Sequence, residues 1–201
     1  MNTFFKIIKL LFPLIVFASV SAGQAKPDFN PGEFNLRVHL SSGLNYTYES
    51  NTTVAGIYKK NSIPVLSGFD LVFKNTFGLE LTGGYFPVMF YSNVLQYKKT
   101  EVTVAASLLA FPVTLSLKYY FNQFSISAGA SFCILNSDIN LSNSGTYAVH
   151  NSFGYLAAVA YEFNLFKNFK FSPRVSFYKI PEIGSSTISF QIRILFDLLD
   201  F

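Results

Sequence analysis

The sequence has few of the residues that cross-link a fold or present charge to water. Only one of its 201 residues is a cysteine, Cys133, so no disulfide can form within the chain. Charged residues make up 13% of the chain, about half of their share in an ordinary soluble protein. A water-exposed surface with so few charges tends to aggregate. The composition therefore argues against an ordinary soluble domain.

Other absences exclude whole classes of function. Beyond the first 25 residues no apolar run approaches the ~20 residues that a membrane-spanning helix needs. The formal net charge of +4 is too small to indicate a nucleic-acid partner. The two histidines, His39 and His150, have no neighbours at metal-ligand spacing, and no glycine-rich phosphate loop is present. We therefore expect neither a metal site nor a cofactor, and any contact with lipid must be made by strands.

The N-terminal segment has the residue order of a secretory signal peptide. Lys6 and Lys9 are followed by an apolar run and then by small residues, which predicts cleavage after Ala22 or Ala25. A transmembrane anchor is the alternative, but the apolar run is too short and polar residues flank it. The predicted organisation is a signal peptide over 1–25, a short periplasmic lead-in over 26–33 and an outer-membrane β-barrel over 34–201.

From residue 34 onwards the dominant hydrophobic period is two, which is the period of a strand. The clearest example is 111–121, where Phe and Leu alternate with residues such as Thr114, Ser116 and Lys118. Asn122 and Gln123 then lead directly into a second alternating run, which predicts a β-hairpin. Eight alternating runs are present, at 34–41, 63–73, 77–85, 101–121, 124–134, 153–163, 169–178 and 188–196.

The connections between these runs alternate between short and long. Those after the second, fourth and sixth runs are short, and the others are predicted as long loops at 48–62, 86–100, 136–150 and 179–186. Short turns at one rim and long loops at the other are typical of bacterial outer-membrane barrels. Within the fourth run, Pro112 predicts a bulge or a kink.

The two faces of the strands indicate which side meets lipid. The apolar face carries roughly forty large side chains, and the interior of an eight-stranded barrel could not contain them. The other face is mostly Gly, Ser, Ala and Thr, which suit a narrow lumen. We therefore predict an all-β fold, an eight-stranded antiparallel up-and-down transmembrane β-barrel with a lipid-facing apolar exterior. A soluble β-sandwich is the alternative.

Aromatic residues cluster at the predicted ends of the strands, as in the interfacial girdles of membrane barrels. One group surrounds the short turns and includes Tyr119, Phe121, Phe124, Tyr161, Phe163, Phe166 and Phe169. The other lies near the long loops and includes Tyr46, Tyr48, Tyr85, Phe86, Phe90, Tyr91, Phe177 and Tyr178.

This pattern, carried best by 111–134 with its Asn122-Gln123 turn, resembles the small outer-membrane β-barrels of the OmpX and OmpA transmembrane-domain type, often described as porin-like. The resemblance covers 34–201. It implies a monomer in the bacterial outer membrane that contacts membrane lipid and lipopolysaccharide and is assembled by the outer-membrane insertion machinery. Phe201 looks like the family's terminal assembly signal, although it is out of phase with 188–196. Either a bulge near Leu198 restores the phase, or Phe201 is a tail without that role.

Seven charged residues fall on the predicted inward face. Buried charges are tolerable when they form hydrogen-bonded ion pairs, so we interpret them as a structural plug in the inner half of the lumen. The rival interpretation is a polar path for small ions or solutes. The predicted lumen charge network comprises Arg37, Asp70, Glu80, Lys118, Glu162, Arg174 and Arg193.

A lipid-modifying activity is one alternative, because some barrels of this size deacylate lipid A with a His-x-Ser pair and a Glu. Here His150 and Ser152 are followed by Glu162, but ten residues of strand separate Ser152 from Glu162, roughly 30 Å. No catalytic site is therefore predicted. The favoured function is a non-enzymatic barrel with an envelope or surface-interaction role; a narrow channel and a lipid-modifying enzyme are the alternatives. In the favoured function the long loops form the surface that contacts partners, and the residues predicted to make these contacts are Tyr48, Tyr58, Lys59, Lys60, Lys98 and Lys99.

Overall fold

The computed structural model describes residues 34–49, 58–59, 61–74, 76–97, 100–141, 144–166 and 168–200. The predicted signal peptide, the lead-in and Phe201 lie outside these residues and stay predictions. No helix among the described residues is long and apolar enough to cross a membrane. The strands are β1 (Phe34–Glu49), β2 (Tyr58–Lys59), β3 (Asn61–Ser62), β4 (Val65–Phe73), β5 (Phe77–Tyr97), β6 (Thr100–Phe121), β7 (Phe124–Leu141), β8 (Ser144–Tyr161), β9 (Phe163–Phe166), β10 (Phe169–Ile180) and β11 (Ser185–Asp200), with a short 3₁₀ helix at Pro181–Ile183.

Eight long strands close into a ring. Each pairs antiparallel with its sequence neighbours in the order β1, β4, β5, β6, β7, β8, β10, β11, and β11 returns to pair with β1. The remaining strands are short: β2 and β3 lie beside β5 and β1, and β9 pairs with β10. Closure leaves the barrel wall without an edge, as hydrocarbon requires. The predicted eight-stranded up-and-down barrel is confirmed.

Side-chain burial alternates along the strands with the apolar residues outside. In β6, Leu115 is 58% exposed, whereas its neighbours Thr114 and Ser116 are each 1% exposed. The same alternation holds along β10 and along the inner part of β8, from Ser152 onwards. A soluble fold would bury the large apolar residues, so this inverted pattern identifies the outer face as the lipid-contacting one.

Two of the predicted long loops are mostly strand, so that part of the prediction is wrong. β5 continues to Tyr97 and β6 starts at Thr100, while β7 continues to Leu141 and β8 starts at Ser144. The alternating pattern fades there because neither face of a strand beyond the bilayer meets lipid. Backbone pairing keeps these segments extended even though the hydrophobic period is lost.

Register shifts occur at three places among the described strands, one of them between Phe169 and Lys170 in the ladder of β10 with β9. Pro112 pairs in register with Cys133, and a shift lies instead in β5, between Pro87 and Met89. Of the bulge or kink predicted at Pro112, the bulge is therefore wrong. A second shift lets Leu36 pair with Leu199 and Arg37 with Asp197. The extra residue of that bulge is Leu198, which is the alternative that restores the phase of the strand end.

The short-turn rim carries a band of touching aromatic rings. Ring centroids are 4.6 Å apart for Phe124 and Tyr161, 5.2 Å for Phe77 and Tyr119, and 5.7 Å for the stacked pair Phe121 and Phe124. The Tyr161 hydroxyl also donates a hydrogen bond to the Gln123 side chain of the neighbouring turn. The band lies where the wall meets the inner membrane–water boundary.

Candidate functional site: the closed lumen and the protruding sheet

Two carboxylates, Asp70 and Glu80, lie opposite each other on β4 and β5 and are almost completely buried in the lumen. Lys118 donates to both, at 2.7 Å to Asp70 and 3.0 Å to Glu80. Arg193 also reaches both, at 3.3 Å and 3.1 Å. These inward positions on β4, β5, β6 and β11 bring four predicted residues together into one cross-barrel cluster.

A third cation and a histidine complete this central cluster. Arg174 from β10 lies 2.6 Å from Glu80. The Nδ1 atom of His39 lies 3.2 Å from Asp70, and its Nε2 lies 3.3 Å from the Thr82 hydroxyl. Thr82 in turn donates to Glu80 at 3.0 Å. The cluster therefore ties six of the eight wall strands together, namely β1, β4, β5, β6, β10 and β11.

A second cluster lies nearer the short-turn rim. Arg37 contacts Glu162 at 3.1 Å and Asp197 at 2.9 Å, and Lys170 lies 3.2 Å from Asp197. The Tyr120 ring lies between the two clusters, with the Arg37 guanidinium 5.8 Å and the Lys118 ammonium 5.4 Å from its centre. Cations at such distances from an aromatic face are attracted to it.

All seven residues of the predicted lumen network lie in these two clusters. Four members were missed: His39, Tyr120, Lys170 and Asp197. His39 and Lys170 were visible as inward positions of their alternating runs. Asp197 continues the inward odd-numbered positions of β11, but it lies one residue beyond the predicted run at 188–196. Among the described residues, no group of three or more His, Cys, Asp or Glu side chains is arranged to hold a metal ion.

The outer half of the lumen is filled by apolar side chains, a feature not predicted from the sequence. Phe86 and Tyr178 were assigned to the outer aromatic girdle, but both are buried inside the barrel, with ring centroids 4.7 Å apart. That assignment is wrong because both residues sit at inward positions of their strands. We call this group the apolar plug: Leu66, Phe86, Val88, Ala110, Cys133, Leu135, Leu156, Ala158, Tyr178 and Ile180.

The His150, Ser152 and Glu162 trio is not brought together. Glu162 binds Arg37 beside the short turns, whereas His150 lies at the opposite end of β8 and contacts Glu182 at 3.0 Å. The proximity of the Ser152 hydroxyl and of His150 holds the pKa of the exposed Glu182 carboxyl below its ordinary value. This pair links β8 to the 3₁₀ helix at the outer rim.

Four adjacent strands, β5 to β8, continue past the outer rim as one sheet. Their mutual pairing extends to Tyr97 with Thr100 and to Leu141 with Ser144. The ladder between β10 and β8, by contrast, extends outwards only to Lys179 with Tyr155. Beyond that point, β7 is the only described strand that pairs with β8. We call this extension the protruding sheet, and residues 145–149 of β8, which precede the His150 contact with Glu182, its open edge.

Comparison with known proteins shows which solved structures have a similar architecture. No family model and no curated protein matches the sequence. Among solved structures, Ail, the attachment invasion locus protein of Yersinia pestis, matches with a TM-score of 0.55 at 12% identity, over 83% of this chain and 99% of Ail. Ail in complex with the heparin analogue sucrose octasulfate matches with a TM-score of 0.52 at the same identity. OprG of Pseudomonas aeruginosa matches with a TM-score of 0.50 at 14% identity, over 84% of this chain and 97% of OprG.

These neighbours are small bacterial outer-membrane β-barrels, and this chain has their fold. Its apolar outer wall and this fold place it in the outer membrane, and bacterial barrels of this fold have their short turns on the periplasmic side. The expected resemblance to the OmpX and OmpA type is confirmed at the level of the fold. At 12–14% identity the likeness does not extend to a shared activity.

Proposed function

We propose that this protein is a closed, non-enzymatic barrel that presents its protruding sheet at the cell surface as a docking edge for other proteins. The observation that carries the proposal is the unequal length of the wall strands. β5 and β6 have 21 and 22 residues, whereas β10 has 12. A strand of about 9–11 residues is enough to cross a bilayer, so the additional length serves the outside.

Two layers of buried side chains, one charged and one apolar, favour a lumen without a conducting path. The two charge clusters connect opposite walls through short ion pairs in the inner half, and the apolar plug fills the outer half. A permeating ion would have to break buried pairs and then cross apolar contacts. The interpretation of the network as a structural plug is favoured over the polar path on these grounds.

The open edge supports the binding role. Residues 144–151 are all exposed, with Tyr147 at 63% and Val149 at 55%. Natural edge strands usually avoid pairing with other chains by means of lysine, proline or inward charge. The segment 145–151 contains no proline, lysine, arginine or acidic residue. An extended segment of a partner protein can therefore add to this edge through backbone hydrogen bonds.

Planar-bilayer recording of refolded protein tests the closed lumen. We expect no unitary conductance steps from the wild-type barrel. Stable steps would contradict the plug and favour the channel alternative.

Adhesion of bacteria displaying the protein to cultured epithelial cells tests the docking edge. Val149→Lys places a charge on the open edge and is expected to reduce adhesion to the level of cells without the protein. Ile139→Lys is the matched control, since Ile139 is exposed on the same sheet but on β7, which has partners on both sides. Equal losses for both variants, or none for Val149→Lys, would contradict docking at the edge. Altered gel migration before and after boiling verifies that each variant is folded.

A further inference from the structure

We infer that the outer face of β8, β10 and β11 holds one lipopolysaccharide molecule, with a lipid A phosphate on Lys179 and an acyl chain in the groove beneath it. The inference starts from a depression in the lipid-facing wall of about 460 Å³. Six outward side chains line it: Ile126, Ala157, Val159, Val175, Phe177 and Ile188.

The groove exists because small residues meet there in an otherwise bulky belt. Ala157 of β8 pairs with Ala128 of β7 on one side and with Phe177 of β10 on the other. The two neighbouring alanines form the bottom of the groove because their side chains are short. The larger side chains of Ile126, Val159 and Phe177 form its sides. In hydrocarbon no hydrophobic force drives an acyl chain into such a groove, so the selectivity must come from shape and close packing.

Lys179 supplies the polar end of the site. It lies two residues beyond Phe177 on the same outward face of β10, about 7 Å further towards the outer rim. The strand ends at Ile180, so the ammonium group lies at the level of the headgroups. Among the residues whose side chains the structure describes, Lys179 is the only cation on the outward face of a wall strand, and no acidic side chain there pairs with it.

The residues that pair with Lys179 also indicate that it lies at the boundary between the barrel wall and the lipid headgroups. It pairs with Tyr155 of β8 and with Ser186 of β11. An exposed tyrosine beside a lysine at the rim is a usual arrangement where a wall meets headgroups. The occupant is lipopolysaccharide, because the rim with the protruding sheet faces the outer leaflet and lipid A combines phosphate with several acyl chains.

A second groove provides an internal comparison. It is larger, about 550 Å³, and lies on the other side of the barrel around Phe69, Leu81, Gly83 and Val113. Tyr85 and Phe111 stand towards its outer end, and no described cation lies on the outward face there. The outer wall thus has two apolar grooves, and of these only the first has a described positive charge next to it.

Native mass spectrometry of the refolded full barrel released from detergent with added lipid A tests the site. We expect one retained lipid A per barrel and weaker retention of the dephosphorylated form. One interfacial lysine is worth about fivefold in affinity, so Lys179→Gln should lower retention about fivefold. Val159→Phe, which fills the groove, should also lower it. The matched controls Lys74→Gln, at an inner-rim turn, and Val113→Phe, in the second groove, should leave retention unchanged.

Three results would overturn the inference. Equal retention of lipid A and its dephosphorylated form would show that the phosphate is not recognised. Equal effects of a variant and its matched control would show that the lipid binds elsewhere. Equal retention of phosphatidylglycerol would show a site for any anionic lipid. Boiling-dependent gel migration of all four variants ensures that a loss of retention is not a loss of folding.

Discussion

Neutralising Glu80 tests the central cluster most directly. Its carboxylate accepts from Lys118, Arg174 and Arg193 at 3.0, 2.6 and 3.1 Å and is 1% exposed. Glu80→Gln keeps the shape of the side chain but leaves three buried cations facing one carboxylate, that of Asp70. Removing one partner of a buried ion pair costs about 3–5 kcal/mol, because the opposite charge stays buried without compensation.

The assay is reversible urea unfolding in lipid vesicles. Unfolding is followed by far-UV circular dichroism, because the chain contains no Trp and so cannot be followed by tryptophan fluorescence. With an m-value near 2 kcal/mol/M, the loss corresponds to a midpoint lower by roughly 2 M urea. Adding Arg174→Met to Glu80→Gln removes one of the uncompensated cations and should recover part of the loss. The control is Glu182→Gln at the exposed outer rim, which should not shift the midpoint. A Glu80→Gln midpoint equal to that of the control would refute the cross-barrel ion network.

Three further predictions concern the wall and the plug. Leu115→Lys places a charge near the bilayer midplane and should destabilise the barrel by about 2–4 kcal/mol in vesicle unfolding. Phe121→Lys lies at the inner rim and should cost at most about 1 kcal/mol. Equal costs for the two variants would contradict the assigned membrane position. Gly43→Ala should lower the unfolding midpoint much more than Gly83→Ala, because a Cβ at Gly43 would overlap the backbone carbonyl of the neighbouring strand while one at Gly83 would lie 3.3 Å from the nearest atom. Phe86→Ala should cost about 3–5 kcal/mol by opening a cavity in the apolar plug, yet bilayer recordings should stay silent because the charge clusters still close the inner half.

The sequence predicts the wall well wherever a strand has lipid on one side. Period-two alternation comes from that asymmetry, so the runs at 111–121 and 124–134 are found with their turn. Beyond the rim the asymmetry ends, and the outer parts of β5 to β8 therefore look like loops in the sequence. The hairpins there become visible only through their pairing, which periodicity does not report.

The interior is predictable in kind but not in partners. Alternation assigns Arg37 and Glu162 to the inward face, but 125 residues separate them, and their 3.1 Å contact depends on how the barrel closes. The apolar plug was missed for a different reason. Inward residues such as Leu156 and Tyr178 look like wall residues by composition, and only the phase of each strand shows their direction.

The seam between β1 and β11 has a consequence for assembly. It joins the first wall strand to the last, with Asn35 opposite Asp200 and Glu49 opposite Ser185. The hairpins within the chain form from close neighbours, but this final ladder brings together residues from opposite ends of the sequence and carries the largest loop-closure entropy. Until it forms, two rows of unpaired amides and carbonyls would face hydrocarbon. Insertion should therefore wait for the last strand, and a chain truncated before Ser185 should fail to stay in the bilayer.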